Sequence, residues 1–381
     1  MKEAGPFILG IGTAVPNYRL DQTDTSLRLS QALNEFPDSA RWARKIFKQC
    51  GVESRYTCEP NLLDAAEECR YFSHVADLPV PSTAERMETY KREAIPLGVS
   101  AARKAISDGN VNASDITHLI TVSCTGQFLP GMDAALIRLL GLEVTVNRIP
   151  LNFLGCAAGL KAICLSRQIV SSNPSAKILI VCVELCTLHI QPSSQREALF
   201  SASFFGDGAS ACLVGTAGAD QRGIFQLREE LSVLLPDSSE EMLWEVGNYG
   251  FDLYLSTSIP KLLGRFVPEQ VERLLSGDQK PLLWAIHPGG KGIIDTLEDL
   301  FELTEEQTSY SRGVLRNYGN MSSATILFVL NEMRHELVRR NSGPTSGVAL
   351  AFGPGLTCEI IKITYMPSVQ IQKTILEEIH V

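Results

Sequence analysis

The chain has no apolar run approaching the roughly 20 residues that cross a bilayer. Its longest, Ile178-Leu179-Ile180-Val181-Cys182-Val183, has the length of one buried strand, so no membrane span is expected. Positive charge is also scarce. Lys and Arg number 34 against 43 Asp and Glu, a net charge of −9, which argues against a nucleic-acid partner because phosphate binding needs a concentrated cationic face. No two of the ten cysteines have CxxC spacing. The nearest pair, Cys182 and Cys186, lacks a second pair or a His at zinc-like separation, so no metal is expected. The opening MKEAGPFILGIGTAVP has no sustained apolar segment followed by a small-residue cleavage site. A cytoplasmic address with reduced, packed thiols follows as the expectation. Low-complexity linkers are missing too, and 45% apolar with 20% charged residues describes an ordered globular chain.

What is present points to a mixed α/β fold of two core units, because 381 residues exceed what one hydrophobic core usually supports. Short β-branched runs at Phe7 to Ile11, His118 to Val122, Ile178 to Val183, Ala211 to Val214, Leu282 to Ile286 and Gly347 to Phe352 read as strands buried on both faces. Ala157 to Ser171 and Ser322 to Arg340 carry apolar residues at helical spacing, the second behind hydroxyl residues suited to a helix start. The chain also echoes itself. HLITVSCTG at 118–126 resembles LLWAIHPGG at 282–290, and FFGDGASACLVG at 204–215 resembles SGVALAFGPGLTCEII at 346–361, as two similar halves would. The acidic, Ser-containing stretch 235–241 reads as an exposed loop. We divide the chain into an N-terminal half, 1–230, and a C-terminal half, 231–381.

Three motifs carry chemistry. Cys156, in Gly155-Cys156-Ala157-Ala158-Gly159-Leu160, is expected on a tight turn at a helix N-terminus, where the dipole and free N–H groups stabilise a nucleophilic thiolate; a packed, inert thiol fits the same local sequence. His287 leaves a buried strand into Pro288-Gly289-Gly290-Lys291-Gly292, at the strand edge where α/β proteins place ligands. A His bonded to a loop carbonyl is the alternative. Asn320, in Tyr318-Gly319-Asn320-Met321-Ser322-Ser323-Ala324, either caps the helix that follows or offers its amide to an enolate oxygen.

Taken together, GCAAGL around Cys156, WAIHPGG around His287, YGNMSSA around Asn320, FFGDGASA around Phe205 and AFGPGLTCE at 351–359 resemble chalcone synthase and the wider type III polyketide synthases, in the family's order and over nearly the whole chain. The resemblance implies an αβαβα five-layer thiolase-like fold, a homodimer, and a Cys156-His287-Asn320 site at the base of a coenzyme A tunnel. It also implies acyltransferase chemistry without a metal or organic cofactor: an acyl-CoA starter loads onto Cys156, and malonyl-CoA extends it by decarboxylative condensation. HPGG speaks against the related ketoacyl-ACP synthase III enzymes, which usually carry an Asn-containing motif after the catalytic His. A cysteine hydrolase leaves Asn320 and GPGLT without a role, and a non-catalytic binding protein leaves all three polar residues without one.

The resemblance extends to the pocket. Phe205 matches one of two Phe residues between tunnel and cavity, and Leu253 stands at the second, which departs from the plant pattern and points to a bacterial-type cavity. Cys124, Thr125, Cys186 and His189 match small hydroxyl positions of plant enzymes, and Trp244 stands where a Gly is usual. Ser322 belongs with them. Leu129, before Pro130-Gly131-Met132, resembles the loop that enters the partner's cavity. Arg41, Arg44, Lys45 and Lys48 form a basic stripe at helical spacing suited to CoA phosphates, and the resemblance adds Gly289 to the CoA-binding residues. These pocket substitutions rule out carrying chalcone over as the product; the resemblance to bacterial-type members implies a fatty acyl starter and an alkylpyrone, alkylresorcinol or related small aromatic, with a tetraketide made from malonyl-CoA alone or an aryl starter nearly as compatible.

Overall fold

The β-branched runs become the strands of one nine-stranded sheet in the computed structural model, which describes residues 5–72, 78–217 and 223–367. Its strands are β1 (Pro6–Ala14), β4 (His118–Ser123), β5 (Asn147–Asn152), β6 (Ile178–Leu185), β7 (Asp207–Thr216), β8 (Phe225–Leu234), β11 (Leu283–Ile286), β12 (Thr345–Gly353) and β13 (Thr357–Tyr365). Two small sheets pair β2 (Tyr18–Asp21) with β3 (Ser54–Thr57), and β9 (Met242–Gly247) with β10 (Gly250–Leu255). The helices are α1 (Gln22–Ala32), α2 (Pro37–Gln49), α3 (Thr83–Asp108), α4 (Met132–Leu140), α5 (Ala158–Ser172), α6 (Arg196–Phe204), α7 (Ile259–Leu275), α8 (Lys291–Phe301), α9 (Glu305–Tyr318) and α10 (Thr325–Arg339).

The large sheet runs β11-β12-β13-β8-β1-β7-β6-β4-β5, and its pairing repeats. In the N-terminal half β4 lies parallel to β6, β6 antiparallel to β7, and β7 antiparallel to β1. In the C-terminal half β11 lies parallel to β12, β12 antiparallel to β13, and β13 antiparallel to β8. The halves join where Phe7 and Ile8 of β1 pair with Gln226 and Phe225 of β8, the strand within which the 230/231 division falls and which pairs as part of the C-terminal half. The first sequence echo therefore matches equivalent strands, β4 and β11. The second matches only through its end, since Thr357 onward lies in β13, the equivalent of β7. Residues 235–241 form the loop after β8, exposed except at the buried Leu235 and Ser238 and the half-buried Glu241. Residues 368–381, assigned to the C-terminal half, lie outside the described residues.

The layers follow from which faces are apolar. Helices α5 and α10 are buried along most of their length and share one core with strands of both sheet halves. Outside the N-terminal half, α3 and α4 cover Leu179, Val181, Val183 and Leu213. Outside the C-terminal half, α7 and α8 cover Trp284, Ile286, Val348 and Leu350. The order α, β, α, β, α is the thiolase-like architecture. Among the described residues no helix is long and apolar enough to cross a membrane.

Helix α3 approaches β1 closely because small residues face each other there. A Cβ on Gly12 would lie 2.2 Å from the Ala101 carbonyl oxygen and 2.5 Å from the Ala105 nitrogen, contacts with backbone that no rotamer change relieves. Gly12→Ala is expected to lower the unfolding free energy by about 1–3 kcal/mol, read from the urea midpoint; an unchanged midpoint would contradict this packing.

Candidate active site

The two central helices start where the chemistry is. A 3-10 turn, Gly155–Ala157, carries Cys156 into α5, and another, Ser322–Ala324, carries the segment after Asn320 into α10. The turns touch. A Cβ on Gly159 would sit 2.1 Å from the Ser323 carbonyl oxygen, and one on Gly155, at φ +64°, would sit 2.3 Å from Cδ of Pro354 in the GPGLT loop. Two non-glycine residues, Phe153 at φ +55° and Ser322 at φ +46°, flank the site in the left-handed region, a backbone cost that persists only where surroundings impose it.

Cys156 is the half-buried thiol; the other nine cysteines are buried and free. The Asn320 amide lies beside it, with Nδ2 3.8 Å from Sγ. Its orientation is fixed, because Oδ1 accepts from the Ser322 N–H at 2.8 Å, which leaves Nδ2–H facing Cys156 and the Gly289 carbonyl oxygen at 3.4 Å. Through the bond to Ser322 the Asn320 side chain caps the 3-10 turn, whereas α10 itself, with Ala324 at its N-cap, has no side-chain cap. The Asn320 N–H donates to the Phe204 carbonyl at 2.8 Å and the Gly206 N–H to the Asn320 carbonyl at 3.0 Å, so Phe205 is tied to the same point.

His287 follows β11, its N–H donating to the Leu350 carbonyl at 2.8 Å. Its ring is buried, and neither Nδ1 nor Nε2 has a hydrogen-bond partner among the described residues. A buried imidazole without partners is costly, and here it lines the same cavity, about 730 Å³, as Cys156 and Asn320.

Burial governs the ionisation. It pushes the Cys156 thiol up to about 11, with Glu184 adding to the rise and hydrogen bonds from Ser322 and Asn320 opposing it. Burial thus opposes the lowering expected at a helix N-terminus. The same burial lowers His287 to about 3. Each charge alone is disfavoured, and a thiolate and an imidazolium formed together would neutralise one another.

Behind the site, Glu184 is fully buried in β6. Its carboxyl group accepts from the Cys124 N–H at 3.1 Å, from Thr125 Oγ1 at 2.7 Å and from Ser323 Oγ. Burial raises its pKa, and these bonds oppose the rise. Cys124 Sγ meets Ser322 Oγ at 3.0 Å. Glu184 belongs to none of the sequence motifs, although a single acid inside Ile178-Leu179-Ile180-Val181-Cys182-Val183-Glu184-Leu185 is itself a signal, because a buried carboxyl needs partners.

Cys124, Thr125, Cys186, Phe205, Trp244, Leu253, Gly289 and Ser322 line the cavity, whereas Leu129 and His189 do not. Leu129 is 94% exposed on its loop, clear of this chain's pocket. His189 stands behind Trp244 and Phe251, stacked on Phe251 at 4.3 Å. Its Nε2 donates to the Thr125 carbonyl at 2.7 Å and its Nδ1 accepts from the Phe251 N–H at 3.0 Å; with both nitrogens engaged and burial lowering it to about 3, it is a structural histidine. On α2 the cavity face is Trp42, Ile46 and Gln49. Arg41, Lys45 and Lys48 lie about 100° round the helix and are exposed. The cations on the cavity wall are Arg196, over the Trp42 ring at 6.0 Å, and Lys291, paired with Asp295 at 2.5 Å. Arg196 was not legible as a site residue, since it stands in an ordinary helix start.

If the thiolate forms with His287 as counterion, iodoacetamide should alkylate Cys156 at neutral pH, and His287→Ala should slow that labelling by at least about tenfold and move it toward strongly alkaline pH. Peptide mapping across pH 6–10 checks it; equal labelling in both proteins would contradict the pairing.

Comparison with known proteins agrees with the geometry. The family models for chalcone and stilbene synthases match residues 2–218 with the N-terminal domain and 226–367 with the C-terminal domain. A probable polyketide synthase 1 of Dictyostelium discoideum is 29% identical over 363 residues, 93% of this chain and 11% of that protein; the chain thus spans about a tenth of that relative. Among solved structures, the C-terminal type III polyketide synthase domain of Steely1, a type I/III hybrid from Dictyostelium, superposes with a TM-score of 0.87 at 27% identity, over 95% of this chain and all of that one. PKS-I from the brown alga Ectocarpus siliculosus gives 0.86 at 26% identity, over 96% of this chain and all of that one. A half-buried thiol, an unpartnered imidazole and an oriented carboxamide on one cavity, in a chain that the two domain models match over 2–218 and 226–367, place this protein in the chalcone and stilbene synthase family as a type III polyketide synthase, an acyltransferase.

Proposed function

We propose that this chain loads an acyl-CoA starter onto Cys156 and extends it iteratively with malonyl-CoA. The observation that carries the reading is the placement of an unpartnered His287 ring and the donor side of Asn320 on the cavity that the Cys156 sulfur enters. The Cys156 thiol gives its proton to His287, and the thiolate attacks the thioester carbonyl. The C–S bond to CoA breaks, and the departing CoA thiolate takes the proton back, which leaves an acyl-enzyme. Malonyl-CoA then loses its carboxylate as carbon dioxide. The bonding pair becomes an enolate whose oxygen is held by Asn320 Nδ2–H and by the N–H of neutral His287, donors in place before the charge develops. The enolate carbon attacks the acyl-enzyme, a C–C bond forms, and the Cys156 thiolate departs. Every electron pair comes from the thioesters and the thiol, so no cofactor is needed.

The cavity walls support an alkyl starter. Phe200, Phe204, Phe205, Leu253, Leu255 and Ile259 make them largely apolar, which favours acyl chains and disfavours the malonyl carboxylate, aiding its loss. Arg196 and Lys291, which line the cavity, suit the CoA phosphates; Arg41, Lys45 and Lys48, exposed on the adjoining face of α2, would reach them only outside the cavity. Product release as an alkylpyrone or alkylresorcinol follows from such a starter. A second copy of the chain covering Leu129 completes this reading as a homodimer. A ketoacyl synthase III-like enzyme would stop after one condensation and depend on a carrier protein.

Purified protein incubated with acyl-CoA starters and malonyl-CoA is expected to release carbon dioxide and multiply extended products, read by mass spectrometry. Asn320→Ala should reduce malonyl decarboxylation by about 10²–10³-fold, and Cys156→Ala should abolish condensation. Single-extension products made only with a carrier protein would overturn the reading.

A further inference from the structure

The β9–β10 hairpin stands apart from the nine-stranded sheet, yet it forms one wall of the cavity. Trp244 pairs across it with Leu253, and Met242 with Leu255, and all four line the pocket. An isolated two-stranded hairpin is marginally stable in water, so the position of this wall must be fixed from outside the hairpin.

The fixing points are specific. At the tip, Thr83 donates its N–H to the Asn248 carbonyl at 2.9 Å, donates its hydroxyl to the Gly247 carbonyl, and accepts the Gly250 N–H on Oγ1 at 2.9 Å. Thr83 is the first residue of α3, whose start is locked by a capping box between Ser82 and Glu85. The tip is thus bonded to the helix that packs on the main sheet. Gly250, at φ +111°, adopts a backbone conformation that strains other residues, and a Cβ there would press on His189 Nδ1 at 3.2 Å and Arg86 Cδ at 3.3 Å. Along the strands, His189 bridges the Phe251 N–H to the Thr125 carbonyl, and Trp244 Nε1 donates to the adjacent Cys124 carbonyl at 2.7 Å. Gln191 donates to Asp252 Oδ1 at 2.7 Å.

We infer that Thr83 and Gln191, neither of which lines the cavity, are positioning residues that set starter-length and extension-number selectivity by holding the β9–β10 hairpin at fixed distance from the Cys124–Thr125 wall. The inference rests on the polyketide synthase reading above. A wall held by directional bonds fixes cavity volume, and pocket volume discriminates between chains differing by single methylenes. A loosened wall would admit a wider range of starters and intermediates while leaving Cys156, His287 and Asn320 in place.

The test compares the parent protein with Thr83→Val, which keeps shape and removes the hydroxyl, and Thr83→Ser, which keeps the hydroxyl. Each is given a series of acyl-CoA starters with malonyl-CoA, and kcat/KM and product lengths are read for each starter. In Thr83→Val the ratio of kcat/KM between the preferred starter and its neighbours two carbons away should fall by at least about threefold, and the product mixture should broaden. Thr83→Ser should retain the parental ranking, and iodoacetamide labelling of Cys156 should stay within about twofold of the parent in both. Gln191→Leu, which removes an exposed anchor, gives a smaller change in the same direction and serves if Thr83→Val does not fold. An active parent whose starter ranking and products are unchanged in Thr83→Val and in Gln191→Leu, or a Thr83→Ser protein as altered as Thr83→Val, overturns the inference alone. A parent that makes no polyketide from any starter overturns it together with the functional reading.

Discussion

The contact between the starts of α5 and α10 is the constraint on which the site depends. Cys156 and Asn320 are 164 residues apart, and they meet because Gly159 lets the turn before α5 rest on the Ser323 carbonyl. The duplicated pattern of strand and helix puts both helices in the middle layer, and burial of their apolar faces by both sheet halves holds them there. His287 reaches the same cavity from β11, the strand equivalent to β4, whose own end leads to Cys124. Two similar halves thus each deliver the end of one strand and the start of one helix to a single buried point.

That burial also sets the chemistry. Removing water disfavours a lone thiolate and a lone imidazolium, so either charge is favoured only where an opposite charge forms beside it. The same dry environment strengthens each donor aimed at a developing oxyanion. Glu184, kept behind Cys124, Thr125 and Ser323 by its hydrogen bonds, secures the loops that carry those residues. Solvation is thereby traded for fixed dipoles, which need no reorganisation when the charge moves.

Much of this was legible in the sequence, and the failures share a cause. The strands at 118–122, 178–183 and 347–352 and the helices at 157–171 and 322–340 could be read because their apolar periodicity is strong and local. The catalytic motifs stood out because glycines mark turns where backbones approach closely. The lowered thiol pKa did not follow, since a local argument about a helix terminus has no access to how much water the tertiary fold removes. His189 and Leu129 stood at pocket positions by resemblance, but whether a side chain faces the cavity is a matter of angle that spacing does not encode. Arg196 and Glu184 went unremarked for the same reason: each acquires its surroundings only when distant segments fold around it.

The central claim is that one thiol of ten carries the growing chain. Trapping the protein with acyl-CoA in the absence of malonyl-CoA, followed by proteolysis and mass spectrometry, tests it most directly. The account predicts a single acyl group on the peptide containing Cys156, with Cys124 unmodified. Acylation of Cys124 or of another cysteine in place of Cys156 would contradict it.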